Sequence, residues 1–434
     1  MRAILLSSGV RLATLPITAA AGLLSASIII RTAGADFFGA ISLVGTFLLL
    51  LPFADLGLGA RVMNIFSQTK SGDAARVNAL QAAFRLLLLS SFLISLAGVL
   101  GSTVFSWSDL LGLENIGMPY TDEATSLAVF IFGLSIPLSL GQRILIGCNR
   151  NHFVIAFSTI GSVGGLLVVL AGAYTGVPVA FLGLAQPFAL LLSSFFCSLS
   201  GLRVAKLAFT DFVRRLETRE STAAVLSMGL SMLAVSISVA IALQSGRIVL
   251  AHRSTSQQLS EYALAMQLYA PIWSIFAAGG FALWPRFAAE RKEGISATFG
   301  IFKFSGLFGL VGLVFGVGII VFLSPVSALV SGGSLSLSRQ ILVALALLLL
   351  VQSTQLTSGM AFTSGKGLRF QAVCAVSMCV SVLVSSWWLT PSLGARGPLF
   401  AVAVSVLLFQ IIPAVVLLTS REYQSRRLAR KCGT

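Results

Sequence analysis

The chain has 434 residues, of which 56% are hydrophobic and only 10% are charged, and its formal net charge is +15. This composition excludes a water-soluble globular protein and a disordered chain. A membrane barrel is also excluded, because the apolar runs are continuous rather than alternating every second residue. The sequence therefore predicts an all-α polytopic membrane protein.

Twelve apolar stretches follow one another, each about 20 residues long and so able to cross a bilayer as a helix. In chain order they are Leu12–Ile30, Phe37–Leu58, Leu86–Val104, Ala124–Gln142, Phe153–Tyr174, Val177–Leu202, Thr222–Gly246, Tyr262–Leu283, Phe304–Leu323, Ile341–Met360, Phe370–Thr390 and Gly397–Thr419. We expect twelve transmembrane helices in two six-helix lobes, residues 1–206 and 222–420, with a central cleft. Residues 207–221 would form a cytoplasmic linker, and 421–434 a basic cytoplasmic tail.

The cationic side chains are concentrated in alternate joints between these stretches. If the N-terminus is cytoplasmic, 24 of the 29 Lys and Arg residues lie on the cytoplasmic side. Cytoplasmic joints are enriched in Lys and Arg, so both termini are predicted to be cytoplasmic. The basic charge then reflects topology and contact with anionic lipids, and nucleic acid is not predicted as a partner.

The two halves of the chain resemble each other weakly. An offset of 225 residues aligns Asp36-Phe37 with Glu261-Tyr262, and Arg61 with Arg286. Both coincidences fall at equivalent places in the predicted topology. They favour a duplicated six-helix unit, as in many transporters.

Sequence signatures of an enzyme are missing from the chain. It has no phosphate-binding glycine loop and no HExxH motif, and its five cysteines lack metal-ligand spacing. No catalytic residue, metal or cofactor is predicted. Its joints are also too short to hold a soluble nucleotide-driven domain.

Only one carboxylate, Asp55, lies clearly within a predicted span. Burial would raise the pKa of an intramembrane carboxyl group, which makes Asp55 a candidate for carrying a coupling proton. A local structural pairing, for example with Arg61, is the simpler interpretation. An Asp55→Asn variant, which cannot ionise, separates the two roles.

Several arginines lie at or near the ends of predicted spans. An arginine within the bilayer is costly and usually faces a cavity or an anion, or extends to the interface. Arg31 and Arg247 lie on the predicted external side, against the cytoplasmic bias, and are the first candidates for binding an anionic substrate. Arg11, Arg143 and Arg286 are second-rank candidates, with extension to the interface as the alternative.

Three segments together resemble a known family. They are Arg31–Ser42 (RTAGADFFGAIS), Asp55–Gly59 (DLGLG) and Gly279–Glu290 (GGFALWPRFAAE). They are similar to segments of the O-antigen and polysaccharide flippases, in the multidrug/oligosaccharidyl-lipid/polysaccharide exporter superfamily. A Gly-Asp usual in that family is replaced here by Glu293-Gly294. The span count agrees with the family over the whole chain.

The resemblance implies a non-enzymatic flippase in the bacterial cytoplasmic (inner) membrane. Its cargo would be a polyprenyl-pyrophosphate-linked oligosaccharide, an O-antigen or exopolysaccharide repeat unit, moved to the external leaflet by alternating access. Membrane lipids, a polysaccharide polymerase and chain-length machinery are the implied partners. The alternatives are a cation-coupled multidrug or metabolite antiporter of the same superfamily, a membrane glycan polymerase or ligase, and a non-transporting scaffold.

The topology can be tested with a reporter that is active only outside the cytoplasm. Because an even number of spans places both termini on the same side, alkaline phosphatase fused after Thr434 should be inactive. A highly active fusion would mean that the number of spans is odd.

Overall fold

The computed structural model describes residues 2–45, 62–63, 65–66, 74–104, 106–206, 222–292, 298–363 and 365–420. All regular secondary structure in these ranges is helical. The principal helices are α1 Arg2–Ala33, α2 Ala35–Val44, α3 Ala74–Val104, α4 Thr121–Gly147, α5 Asn151–Thr175, α6 Val179–Ala205, α7 Thr222–Arg253, α8 Ser256–Lys292, α9 Thr298–Ser331, α10 Arg339–Ala361, α11 Gly365–Leu393 and α12 Arg396–Ser420.

Each of the twelve predicted stretches overlaps one of these helices, and residues 46–58 of the second stretch lie outside the described residues. In the described part of the chain, ten helices are long and apolar enough to cross a membrane. The other two are α2, of which ten residues are described, and α8, which has 37 residues but a more polar composition. The predicted all-α polytopic fold is confirmed.

Many hydroxyl side chains inside the spans donate hydrogen bonds to carbonyl groups of their own helices. The Thr14 hydroxyl donates to the Val10 carbonyl at 2.8 Å, and the Ser25 hydroxyl donates to the Ala21 carbonyl at 2.8 Å. Back-bonding of this kind removes the penalty of an unpaired donor in hydrocarbon. Polar residues can therefore lie within spans without breaking them.

The helices pack in the same pattern in both halves of the chain. In the first half α1 packs on α5, α3 on α4, α5 on α6, and α4 on α6; in the second half α7 packs on α11, α9 on α10, α11 on α12, and α10 on α12. The second set repeats the first with each helix number raised by six. The chain therefore forms two six-helix lobes, here called the first lobe (α1–α6) and the second lobe (α7–α12).

The bundle has two faces, which we name by their joints. The distal face carries the joints after α1, α7, α9 and α11, and it is the predicted external face. The proximal face carries the opposite helix ends, including the start of α1 and the end of α12. On the distal face a short helix, Trp107–Leu111, is fixed to α4 by a 2.9 Å hydrogen bond from Trp107 Nε1 to the Ser126 hydroxyl.

The hydrophobic core is shared at the distal end and divided at the proximal end. One large cluster includes residues of both lobes, such as Ile41 and Leu43 with Leu259 and Leu264. Two smaller clusters near the proximal face are each confined to one lobe, around Phe132 in the first and around Phe287 in the second. The two lobes therefore share one packed core at the distal side, which closes that side, and have separate cores at the proximal side.

The distal closure depends on a close approach of α2 to α8. The Gly39 amide donates to the buried Ser260 hydroxyl at 2.8 Å. A Cβ atom on Gly39 would lie 2.7 Å from Leu259 Cγ and 2.8 Å from the backbone nitrogen of Ser260. Any side chain larger than hydrogen would therefore push the two helices apart, because packed interiors leave no room for an added methyl group.

We expect Gly39→Ala to weaken this junction. Overpacking a tight contact typically costs about 1–3 kcal/mol, so the apparent melting temperature of the purified protein should fall. The matched control is Gly318→Ala on α9, where an added Cβ would meet no atom within 4 Å. Equal melting temperatures for the two variants would show that the α2–α8 contact is not tight.

Candidate functional site: a polar cavity between the lobes

A cavity of about 240 Å³, here called the central cavity, lies where the two lobes meet. Residues of α1, α2, α5 and α6 form most of its wall. The second lobe contributes Ala263 and Gln267 from α8 and Arg247 from α7. The Gln267 side chain extends from α8 to α1. A Cβ atom added to Gly22 of α1 would lie only 2.6 Å from Gln267 Nε2.

Hydroxyl groups line the cavity but direct their protons elsewhere. Thr18, Ser25, Ser42 and Ser162 all line it, and each donates a hydrogen bond to a carbonyl of its own helix. A hydroxyl has only one proton to donate, so these groups present acceptor lone pairs to the cavity. The strong donors among the described lining residues are Arg247 and the amides of Gln186 and Gln267.

Among the described residues that line this cavity, Arg247 is the only charged side chain and none is acidic. It was expected at the external end of its span. The structure instead continues α7 to Arg253, six residues further, because Ile248–Ala251 remain apolar. At a rise of 1.5 Å per residue, Arg247 lies about 9 Å below the distal end of its helix.

The buried environment of Arg247 is set by both lobes. Its Nε atom is inaccessible to solvent. On the adjacent residue, a Cβ on Gly246 would lie 2.6 Å from the hydroxyl of Tyr262, a buried side chain of α8. The helix α8 that bonds to α2 at the distal junction therefore also packs against the turn that carries Arg247.

The other predicted arginines lie away from the central cavity. Arg31 is exposed at the distal end of α1, where its Nε atom would lie 3.6 Å from a Cβ on Gly332 of the second lobe. Arg11 and Arg143 are partly buried. Arg286 forms a 2.9 Å ion pair with Glu290 and lies 4.8 Å from the centre of the Phe304 ring.

Asp55 and Arg61 lie outside the described residues, so their predicted roles remain predictions. Within the described ranges, no group of three or more His, Cys, Asp or Glu side chains could hold a metal ion.

The sequence did not single out the neutral polar lining. On α1 the lining residues Thr18, Gly22, Ser25 and Ile29 recur at intervals of four, three and four. This is the spacing of one face of a helix, and small and polar residues on one face of an apolar span indicate a packed or hydrated surface. That periodicity is the signal that could have identified the cavity wall on α1.

The arrangement can bind one anionic group among neutral polar surroundings. An arginine guanidinium presents a planar set of donors that suits phosphate oxygens. The two glutamine amides add donors without adding charge. A cationic ligand would meet the guanidinium and, among the described lining residues, no carboxylate.

A curated relative and solved structures agree with the family resemblance. The "Putative O-antigen transporter" of Salmonella typhi is 23% identical over 291 residues, which are 64% of this chain and 63% of that protein. The match thus spans less than two thirds of the relative's length. No protein-family profile matches the chain.

Two solved structures share the fold over almost the whole chain. The lipid II flippase MurJ, in an inward closed conformation, aligns with a TM-score of 0.69 at 13% identity, covering 95% of this chain and 87% of MurJ. An inward-facing multidrug resistance MATE family transporter of the MOP superfamily aligns with a TM-score of 0.68 at 15% identity, covering 96% and 99%. The chain therefore has the two-lobed fold of the MOP-superfamily transporters, and the proteins it is similar to are transporters and flippases rather than enzymes.

Proposed function

We propose that this protein is a flippase that moves a polyprenyl-pyrophosphate-linked oligosaccharide, an O-antigen or exopolysaccharide repeat unit, from the cytoplasmic to the external leaflet. The proposal places it in a bacterial inner membrane with both termini cytoplasmic. Residues 1–206 and 222–420 would be the moving lobes, 207–221 their linker and 421–434 a cytoplasmic tail.

The observation that carries this proposal is the position of Arg247. A charged arginine costs about 2.5–3.5 kcal/mol on insertion scales at the centre of a membrane span. Such a residue is retained where it serves a function, and here it lines a cavity whose other described lining groups are neutral. A pyrophosphate is the anionic part of the proposed cargo and complements this charge.

The fold and the relatives support a transporter of this kind. Alternating access in two-lobed transporters brings one central site into contact with each side of the membrane in turn. The described structure has a distal junction shared by both lobes and a core that is divided proximally. The pyrophosphate would reach Arg247 from the proximal side, and it would pass Arg31 as the distal junction opens.

The alternative is a cation-coupled multidrug or metabolite antiporter of the same superfamily. An exporter of organic cations would need carboxylates in its cavity, and the described lining has none. Asp55 remains a candidate for coupling to protons in either case. Arg11, Arg143 and Arg286 remain second-rank candidates for contact with the anion.

We expect Arg247→Ala to abolish transport without lowering the amount of protein in the membrane. Loss of a charge-assisted hydrogen bond costs about 1.5–3 kcal/mol, equivalent to roughly 10- to 150-fold in affinity. Arg247→Lys should restore only part of the activity, because an ammonium group lacks the planar fork. The measurement is the amount of lipid-linked oligosaccharide that accumulates in a deletion strain expressing each variant.

Arg253→Ala is the matched control. Arg253 lies six residues further along α7, is exposed, and contacts the Trp387 ring at 4.9 Å. It should restore export as the unmodified protein does. If the Arg31→Ala, Arg247→Ala double variant exports normally, these arginines do not bind the substrate. If deletion raises drug sensitivity but causes no accumulation of lipid-linked glycan, the antiporter alternative replaces the flippase.

A further inference from the structure

A second cavity, of about 230 Å³, lies entirely within the second lobe. Side chains of α7, α8, α10, α11 and α12 line it. None of its described lining residues is charged, but four are glutamines on three different helices: Gln352 and Gln355 on α10, Gln371 on α11 and Gln410 on α12. Trp273 of α8 forms part of the remaining, largely apolar wall.

Two of the glutamine amides converge on Gly359. A Cβ on Gly359 would lie 3.1 Å from Gln355 Nε2 and 3.5 Å from Gln371 Nε2. The Gln371 amide donates to the Gly359 carbonyl at the long distance of 3.4 Å. The Gln355 side chain makes no hydrogen bond to another described residue. Amide groups that are weakly engaged at a cavity wall are available to a ligand.

The other two glutamines are held in place by their surroundings. Gln352 accepts a 2.6 Å hydrogen bond from the buried Tyr269 hydroxyl, which leaves its amide NH₂ group as a donor. Gln410 lies in a π-helical turn, Leu407–Ile411, next to Pro413, which has no N–H to continue the α-helix. Its amide points at the Met378 sulfur at 2.8 Å, and a thioether is a weak acceptor.

This combination of groups discriminates between ligand classes. An anion would find no cation in the described lining, and a hydrocarbon chain would leave the amides without partners. A sugar offers hydroxyl groups that both donate and accept, as a primary amide does, and an apolar ring face that can lie on tryptophan. The volume is below the roughly 300 Å³ of drug-sized pockets, so it suits one sugar ring rather than a whole repeat unit.

The second cavity also lies close to the central cavity. Leu243 lines the second cavity and Arg247 lines the central one. They are four residues apart on α7 and so lie on the same side of the helix, about 6 Å apart along its axis. A group bound at Arg247 could thus carry a covalently attached neighbour towards Gln355 and Gln371.

We propose that the second cavity is a saccharide subsite, which takes an uncharged sugar residue of the cargo while Arg247 holds its pyrophosphate. This inference rests on the proposed flippase function. In it, Gln355 and Gln371 bind sugar hydroxyl groups and Trp273 contacts the ring face. Recognition of charge and recognition of the glycan are then assigned to two neighbouring cavities, both of which α7 lines.

The test compares binding of three probes to the full-length protein in liposomes: undecaprenyl pyrophosphate alone, and the same carrier bearing either one hexose or one N-acetylhexosamine. The unmodified protein should bind at least one sugar-bearing probe about tenfold more tightly than the bare carrier, as expected for two net hydrogen bonds. The Gln355→Leu, Gln371→Leu double variant should lose this difference and bind the bare carrier as before. Gly359→Val, which fills the space beside the two amides without removing either of them, should have the same effect.

The control is Gly306→Ala on α9, where an added Cβ would meet no atom within 4 Å and the sugar-dependent difference should persist. A difference that survives both cavity variants would overturn the saccharide subsite. Equal binding of all three probes by the unmodified protein would also overturn the saccharide subsite, although the flippase proposal would stand. If the unmodified protein binds none of the probes, both proposals fail together.

Discussion

The close approach of α2 to α8 is the contact on which the rest of the structure depends. Gly39 allows backbone and side chain to meet at 2.8 Å across the two lobes, and the apolar core that surrounds this contact continues from one lobe into the other. Because α8 also carries Gln267 and packs beside Arg247, the same helix closes the distal face and forms part of the central cavity. A change at the junction would therefore be transmitted directly to the site.

In the function proposed here, the two cavities bind chemically different parts of an amphipathic cargo. Of the described lining residues, those of one cavity include a single cationic side chain among neutral groups, and those of the other include amides and an indole ring but no charge. In a bilayer each polar group must be satisfied or hydrated, so amide and guanidinium donors that face a cavity need a ligand or water as a partner. A lipid-linked oligosaccharide has an anion, a neutral glycan and a hydrocarbon chain, and the first two match these linings.

The sequence predicted the number and order of the helices because bilayer thickness fixes the length of an apolar span. It placed their ends less well: α8 runs from Ser256 to Lys292 rather than from Tyr262 to Leu283. Hydropathy marks the limits of the hydrocarbon, whereas a helix continues into the interface until a turn stops it. Among the described residues that line the central cavity, the sequence singled out only Arg247, through its charge. The glutamines of the second cavity come from three helices, and their convergence is a property of tertiary packing that periodicity within one helix does not reveal.

The central claim is that the distal junction opens as the proximal division closes. Distances between spin labels measure this most directly, in a variant lacking the five native cysteines. One pair, at Thr32 and Ser336, spans the distal junction, and another, at Arg150 and Lys366, spans the proximal side. Addition of lipid-linked oligosaccharide should lengthen the first distance and shorten the second in the same population of molecules. Distances that stay constant during transport, or that change in the same direction, would contradict the account.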